Sequence, residues 1–195
     1  MTAHAGPAPA PVLGRPALTA AAVAGVCAVW AAAVWTAVHL TADPLLHDVA
    51  LFAHLASLVV GFGAVLTVDW LGLLWLLGRR PLPEVLRTAD AVHLPIWLGL
   101  AGLVGSGVLL HPDPGSPLTQ VKLGLVLLVA LNGVHAWTLG PALAALSGPR
   151  GADAPGDAPG APVSRALTAR CASTVLVSQL GWWGATVIGF LNSRH

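Results

Sequence analysis

Five apolar runs of twenty or more residues, parted by short polar breaks, govern what this chain can fold into. About 20 helical residues cross the roughly 30 Å hydrocarbon core of a bilayer. The runs fall at residues 17–40, 49–77, 91–110, 119–142 and 166–191. The chain is 56% hydrophobic and 9% charged, whereas a soluble domain carries about 25% charged residues. Too little polar surface is available to coat a water-soluble globule. The expectation is an all-α integral membrane protein of five transmembrane helices. Spans two to five would form an antiparallel four-helix bundle, and the first would be an extra N-terminal helix packed outside it.

Between and before these runs lie two segments of different character. Residues 1–16, MTAHAGPAPAPVLGRP, read as a disordered tail, and residues 147–164, around GPRGADAPGDAPGAP, as a flexible linker. Residues 17–191 then make one membrane domain. The first run is too long and too uniformly apolar for a signal-peptide core, so it is expected to be retained. The breaks TADPLLHD and GRRPLPEVLRTAD read as loops, and HPDPGSP as a tight turn.

Charge gives an orientation. With five spans, one side carries Arg15, Arg79, Arg80, Arg87, Arg150, Arg165 and Arg170, and the other only Lys122 and Arg194. Seven against two places the N-terminus and the linker in the cytoplasm and the C-terminus outside. The near absence of lysine and tyrosine resembles a bacterial composition, which makes the membrane an inner membrane. The net charge of +1 excludes a basic nucleic-acid-binding surface. Cys27 and Cys171 make no disulfide framework or zinc spacing. No HExxH, CxxC, Walker loop, GxGxxG or serine-nucleophile motif occurs.

Ionisable groups inside a bilayer are expensive, so each is a candidate for function. Depth sorts them into two layers. Asp69, His93 and His135 lie toward the inner face, and Asn132 precedes His135 by three residues, placed to orient its imidazole. Two imidazoles from neighbouring helices suit a low-spin haem iron, and with Asp69 they suit copper, zinc or iron directly. The bland alternatives are an interfacial His93 and a snorkelling Asp69. Toward the outer face lie His39, His47, His54 and His111, with Lys122 in the first turns of span four. His47 and His54 share a helical face if that helix begins near Pro44. His93 and His111, about 27 Å apart by helix rise, cannot serve one cofactor. Lys122 is either an outward anchor or the partner of a ligand carboxylate such as a haem propionate. Gly99, Gly102, Gly105 and Gly107 in span three allow close helix packing or leave room for a flat ligand.

Three stretches, FAHLASLVVGFGAVLTVDWLG, VKLGLVLLVALNGVHAW and RALTARCASTVLVSQLGWWGATVIGFL, resemble helices of the small bacterial membrane proteins of the HemJ and CopD kind, over roughly residues 48–191. The resemblance matches His54 to the family's early histidine and Lys122 to its lysine, with His135 at a further position. It implies a haem-bearing oxidoreductase for the HemJ kind and copper handling for the CopD kind. The chain departs from the HemJ pattern where an arginine is expected, Asp69 standing near that place. Copper transport would call for methionine-rich segments as soft ligands, and Met1 stands alone.

The expected function is therefore a membrane protein binding haem b, or else copper or iron, in a redox or electron-transfer role. The expected ligands are His54, His93 and His135, supported by Lys122, Asn132 and Asp69. A redox partner or a second copy of the chain would complete it. The alternative is a cofactor-free permease or accessory subunit, whose intramembrane His and Asp groups relay protons or bind a partner helix.

Overall fold

The structure is a computed structural model describing residues 14–147 and 164–192. Most of the expected tail and linker lies outside the described residues. Five helices follow one another: α1 (Arg15–His39), α2 (Pro44–Leu76), α3 (Leu82–Val108), α4 (Pro117–Ser147) and α5 (Arg165–Asn192). Each is long and apolar enough to cross a membrane.

Local chemistry sets the boundaries. Proline occupies the first turn of α1, α2 and α3, where its missing N–H costs nothing and its fixed φ suits helix entry. Asp43 caps α2, its carboxylate accepting the Leu46 N–H at 2.9 Å. The helix therefore runs straight through PLLHD, which the sequence reads as a break, and carries both His47 and His54. Gly78 ends α2 at φ 68°, with its N–H on the Trp75 carbonyl and the Arg79 N–H on that of Leu74. That pair of bonds is the Schellman closure, and it needs the left-handed residue that glycine supplies.

α3 differs most from expectation. It begins at Leu82, not 91, because PEVLRTAD is helical, with Pro83 in the first turn and Glu84 paired to Arg80 at 2.8 Å. Charged residues there extend an apolar helix instead of interrupting it.

Packing rests on two helix pairs, α2 with α3 and α4 with α5, each seated on glycine. At Gly99, a Cβ would fall on the backbone of Gly61, and at Gly102 it would strike the Ser57 hydroxyl. In the second pair, Gly181 faces Val129 and Gly184 faces Leu125. Phe62 joins the pairs by stacking on Trp182, ring centroids 5.5 Å apart and planes 3° from parallel, and meets Trp183 edge-on. Phe62, Val65, Leu100, Val129 and Trp182 form the buried cluster.

The first helix contacts α3 and α4, and the Trp30 Nε1–H donates to the Leu123 carbonyl at 3.1 Å. It also forms part of the wall of the large cavity described below. The outer surface is apolar: Phe52 is 76% and Val59 74% exposed.

Widening the tightest contact should loosen the fold. Gly99→Val is expected to lower stability by about 1–3 kcal/mol through overpacking against Gly61. Gly105→Ala, where a Cβ meets nothing within 4 Å, should stay within about 0.5 kcal/mol of the parent. Thermal unfolding of both variants in detergent checks this.

Candidate functional site

One cavity of about 1070 Å3 has walls from all five helices, at the end where α1 turns into α2 and α3 into α4. Ligand pockets run to about 300–1000 Å3, so this volume takes a cofactor-sized molecule and not merely water. Its floor is the core itself: Leu100, Val129 and Trp182 belong both to the buried cluster and to the lining.

His54 comes from α2, ten residues (54 − 44) from the helix start at Pro44, about 15 Å by helix rise. Its Nδ1 lies 3.0 Å from the Ser106 hydroxyl on α3. Ser106 in turn donates to the Gly102 carbonyl at 2.5 Å. A carbonyl only accepts, so the single hydroxyl proton of Ser106 is spent there. The Ser106 oxygen must then accept, and His54 Nδ1 carries the proton. In the neutral ring this leaves Nε2 as the nitrogen with the lone pair. Metal-ligating histidines are typically oriented in this way by a partner on the other nitrogen. Gly107 lies beside the imidazole: a Cβ there would meet Cε1 at 3.6 Å, an ordinary van der Waals contact.

Lys122 reaches the same cavity from the opposite wall, five residues (122 − 117) into α4. Among the described residues it has no hydrogen-bond or ion-pair partner. Beside it, Thr119 is buried and accepts from the Asn192 amide at 3.3 Å, tying α4 to the end of α5. His47 and His111 line the loop end of the cavity, their rings stacked with centroids 5.9 Å apart.

The other expected site residues are placed elsewhere. His93 is exposed and lies edge-on to Trp97 in a separate cleft of about 250 Å3 between α1, α3 and α4. His135 is exposed and does not line that cleft. Asn132 does not reach back to His135: its amide donates to the Thr174 carbonyl at 2.9 Å and fastens α4 to α5. Asp69 accepts the Gln179 amide, whose own carbonyl accepts the Trp183 Nε1–H. The inner set is thus spread over an exposed surface and two interhelical contacts. Among the described residues, no three His, Cys, Asp or Glu side chains come together to hold a metal ion.

Of the expected set, the structure therefore brings His54 and Lys122 to one cavity. Sequence reasoning missed Ser106, Trp30 and Gln179. A lone hydroxyl in the Gly-rich GLVGSGV stretch was the available signal for Ser106. His111, which opens the expected turn HPDPGSP, lies beyond the end of α3 at φ 47°.

If Asn132 is an interhelical fastener, Asn132→Ala should reduce resistance to unfolding in detergent by about 0.6–1.7 kcal/mol, with ligand binding in the large cavity unchanged. A loss of binding without a loss of stability would return Asn132 to the ligand set. Comparison with protein-family models, curated proteins and solved structures gave no match, so the likeness to the HemJ and CopD kind rests on the quoted residues alone.

Proposed function

We propose that this chain is a multi-pass protein of a bacterial inner membrane that binds haem in the five-walled cavity and serves electron transfer. The observation that carries this reading is His54, held by the Ser106 hydroxyl and lining a cofactor-sized, mostly apolar cavity that also holds Lys122, unpartnered among the described residues. Membrane residence is supported by five helices of spanning length and by an outer surface rich in exposed Phe, Leu, Val and Trp, which would aggregate in water. The arginine distribution supports a cytoplasmic N-terminus, which would put the loop end of the cavity at the outer face.

The residues present fit the group. His54 would hold the iron through its imidazole, histidine being a common haem ligand. Lys122 offers a cation for a propionate, and Leu100, Val129 and Trp182 offer an apolar surface for the macrocycle. Bound haem would supply a one-electron couple. The chain's own part is to hold the imidazole in one tautomer, to neutralise a carboxylate and to keep the macrocycle from bulk water. His93 and His135 are not needed as ligands here. Their exposure favours a second reading, in which that face meets a partner helix or another copy of the chain.

Protein purified in mild detergent should show a Soret band and, on reduction, an α band. His54→Ala should abolish both. Ser106→Ala should weaken haem binding about 10–100-fold by releasing the ring. Lys122→Gln should weaken it about tenfold or more, as expected for the loss of a charge-assisted hydrogen bond. A colourless protein that stays colourless on titration with haemin overturns the haem reading and brings forward the cofactor-free accessory role.

A further inference from the structure

His111 holds a position that neither the packing nor the proposed ligand explains. It sits in the α3–α4 connection as the one described non-glycine residue with a positive φ, 47°. Its Nε2 is 2.8 Å from the backbone N–H of Ala42, in the α1–α2 connection 69 residues away. Its ring stacks on that of His47, with centroids 5.9 Å apart and planes 14° from parallel. Both rings line the loop end of the large cavity. The contact therefore bridges the two connections at the loop end of the cavity.

A backbone N–H can only donate, so Nε2 of His111 must accept, and the ring must be neutral with its proton on Nδ1. Protonation converts the acceptor into a donor that points at another donor, and the bond to Ala42 cannot survive it. If both rings carried charge, the stack would become repulsive as well. Histidine is the side chain whose charge ordinarily changes between about pH 5 and 8.

The two sides of the bridge differ in stiffness. The α3–α4 connection braces itself: Asp113 accepts the Gly115 N–H at 2.9 Å, and the Gln120 amide donates to the Pro114 carbonyl at 2.9 Å. Pro112 and Pro114 stiffen it further. The α1–α2 connection is a short extended piece between the end of α1 and the Asp43 cap. Release of the bond therefore frees the α1–α2 side.

The ionisable groups at this end are His39 on α1, Asp43 in the α1–α2 connection, His47 and Asp48 on α2, Asp113 in the connection of His111 itself, and Lys122 on α4. The described part of α5 ends here on the neutral Asn192. The Asp43 and Asp113 carboxylates are engaged by N–H groups of their own segments, and neither pairs with His111 among the described residues. Among the described residues no carboxylate lies within ion-pair distance of His111 to keep it in place once protonated.

We infer that the hydrogen bond from Ala42 to His111, with the stacked His47, is a proton-operated latch that closes the loop end of the cavity at neutral pH and opens it in acid. It rests on the reading that the cavity receives a ligand, and it supplies the regulation of that site. In the proposed orientation the latch faces outward, so acidity on that side would admit or release the ligand.

The test uses no ligand, so the latch and the haem reading fail separately. In a Cys27→Ser, Cys171→Ser background, Ala185→Cys on the α5 wall reports entry of a small methanethiosulfonate reagent into the cavity. The protein is held in lipid nanodiscs, and the rate is taken relative to the same reporter carrying His111→Gln. Glutamine accepts the Ala42 N–H at every pH, and the ratio cancels the thiol's own pH dependence. Val104→Cys, on the α3 wall, replaces the reporter if Ala185→Cys does not elute as a single species. The expected ratio is near one at pH 8 and at least about fivefold higher at pH 5.5. His111→Lys, which cannot accept, should label fast at both values. Equal pH profiles for the parent and His111→Gln, or slow labelling of His111→Lys at pH 8, overturn the latch.

Discussion

The contact of Gly61 with Gly99 sets the register on which the candidate site depends. At this point α2 and α3 run antiparallel with nothing between their backbones. Moving seven residues toward the loop end from Gly61 gives His54 (61 − 7), and seven from Gly99 gives Ser106 (99 + 7). Seven residues are two helical turns, about 10.5 Å, and return the chain to nearly the same face. The close approach therefore presents imidazole to hydroxyl two turns away, at 3.0 Å. Ser57 against Gly102, one turn from the contact, keeps the helices close over the interval. A rotation or slide of either helix would separate His54 from Ser106 and release the tautomer.

Interhelical polar contacts elsewhere draw on spare capacity in the backbone. A helical carbonyl has two lone pairs and uses one within its own helix. The Leu123 carbonyl accepts Trp30, and the Thr174 carbonyl accepts Asn132. Such bonds contribute only about 0.6 kcal/mol each in a membrane setting, less than the several contacts made by one buried aromatic ring. Their value is in direction: they tie α1 to α4 and α4 to α5. Asp69 with Gln179 does the same for α2 and α5, toward the opposite end from the cavity. The helices are thus fastened both at the cavity wall, by Trp30 with Leu123 and Asn192 with Thr119, and beyond it, by Asn132 with Thr174 and Asp69 with Gln179.

The number and approximate extent of the helices were legible because length and uniform apolarity suffice to recognise them. The start of α3 was misread for a definite reason. Glu84, Arg87 and Asp90 suggest a loop, yet Pro83 just inside an N-terminus is also an ordinary helix-start signal. The site was legible in depth but not in direction. Counting residues assigns His93, His135 and Asp69 a position along their helices. It could not say which way each side chain faces, because helices that are apolar all round have no polar face from which to read rotation. For Asn132 the same ambiguity hid a partner on α5 behind an apparent partner on α4. His54 and Lys122 fared better because the likeness to the HemJ and CopD kind singled them out. The hydroxyl that fixes His54 lies on another helix, 52 positions away, beyond the reach of any local pattern.

The cavity's chemistry narrows what can fill it. A cation at the centre of a bilayer costs about 2.5–3.5 kcal/mol or more. Lys122, near the start of α4, reduces that cost by opening onto the cavity, and none of the described side chains has a buried polar atom without a partner. A neutral apolar ligand would cover the lysine and leave its charge unpaired. A small inorganic anion would pair with it but leave the walls formed by Leu100, Val129, Trp182 and their neighbours unfilled. An extended apolar molecule bearing a carboxylate satisfies both demands at once. If it also carries an atom that accepts a lone pair, it uses the Nε2 that Ser106 leaves available on His54. The three conditions come from different helices and different interactions, and the proposed iron porphyrin, with its propionate side chains, would meet all of them.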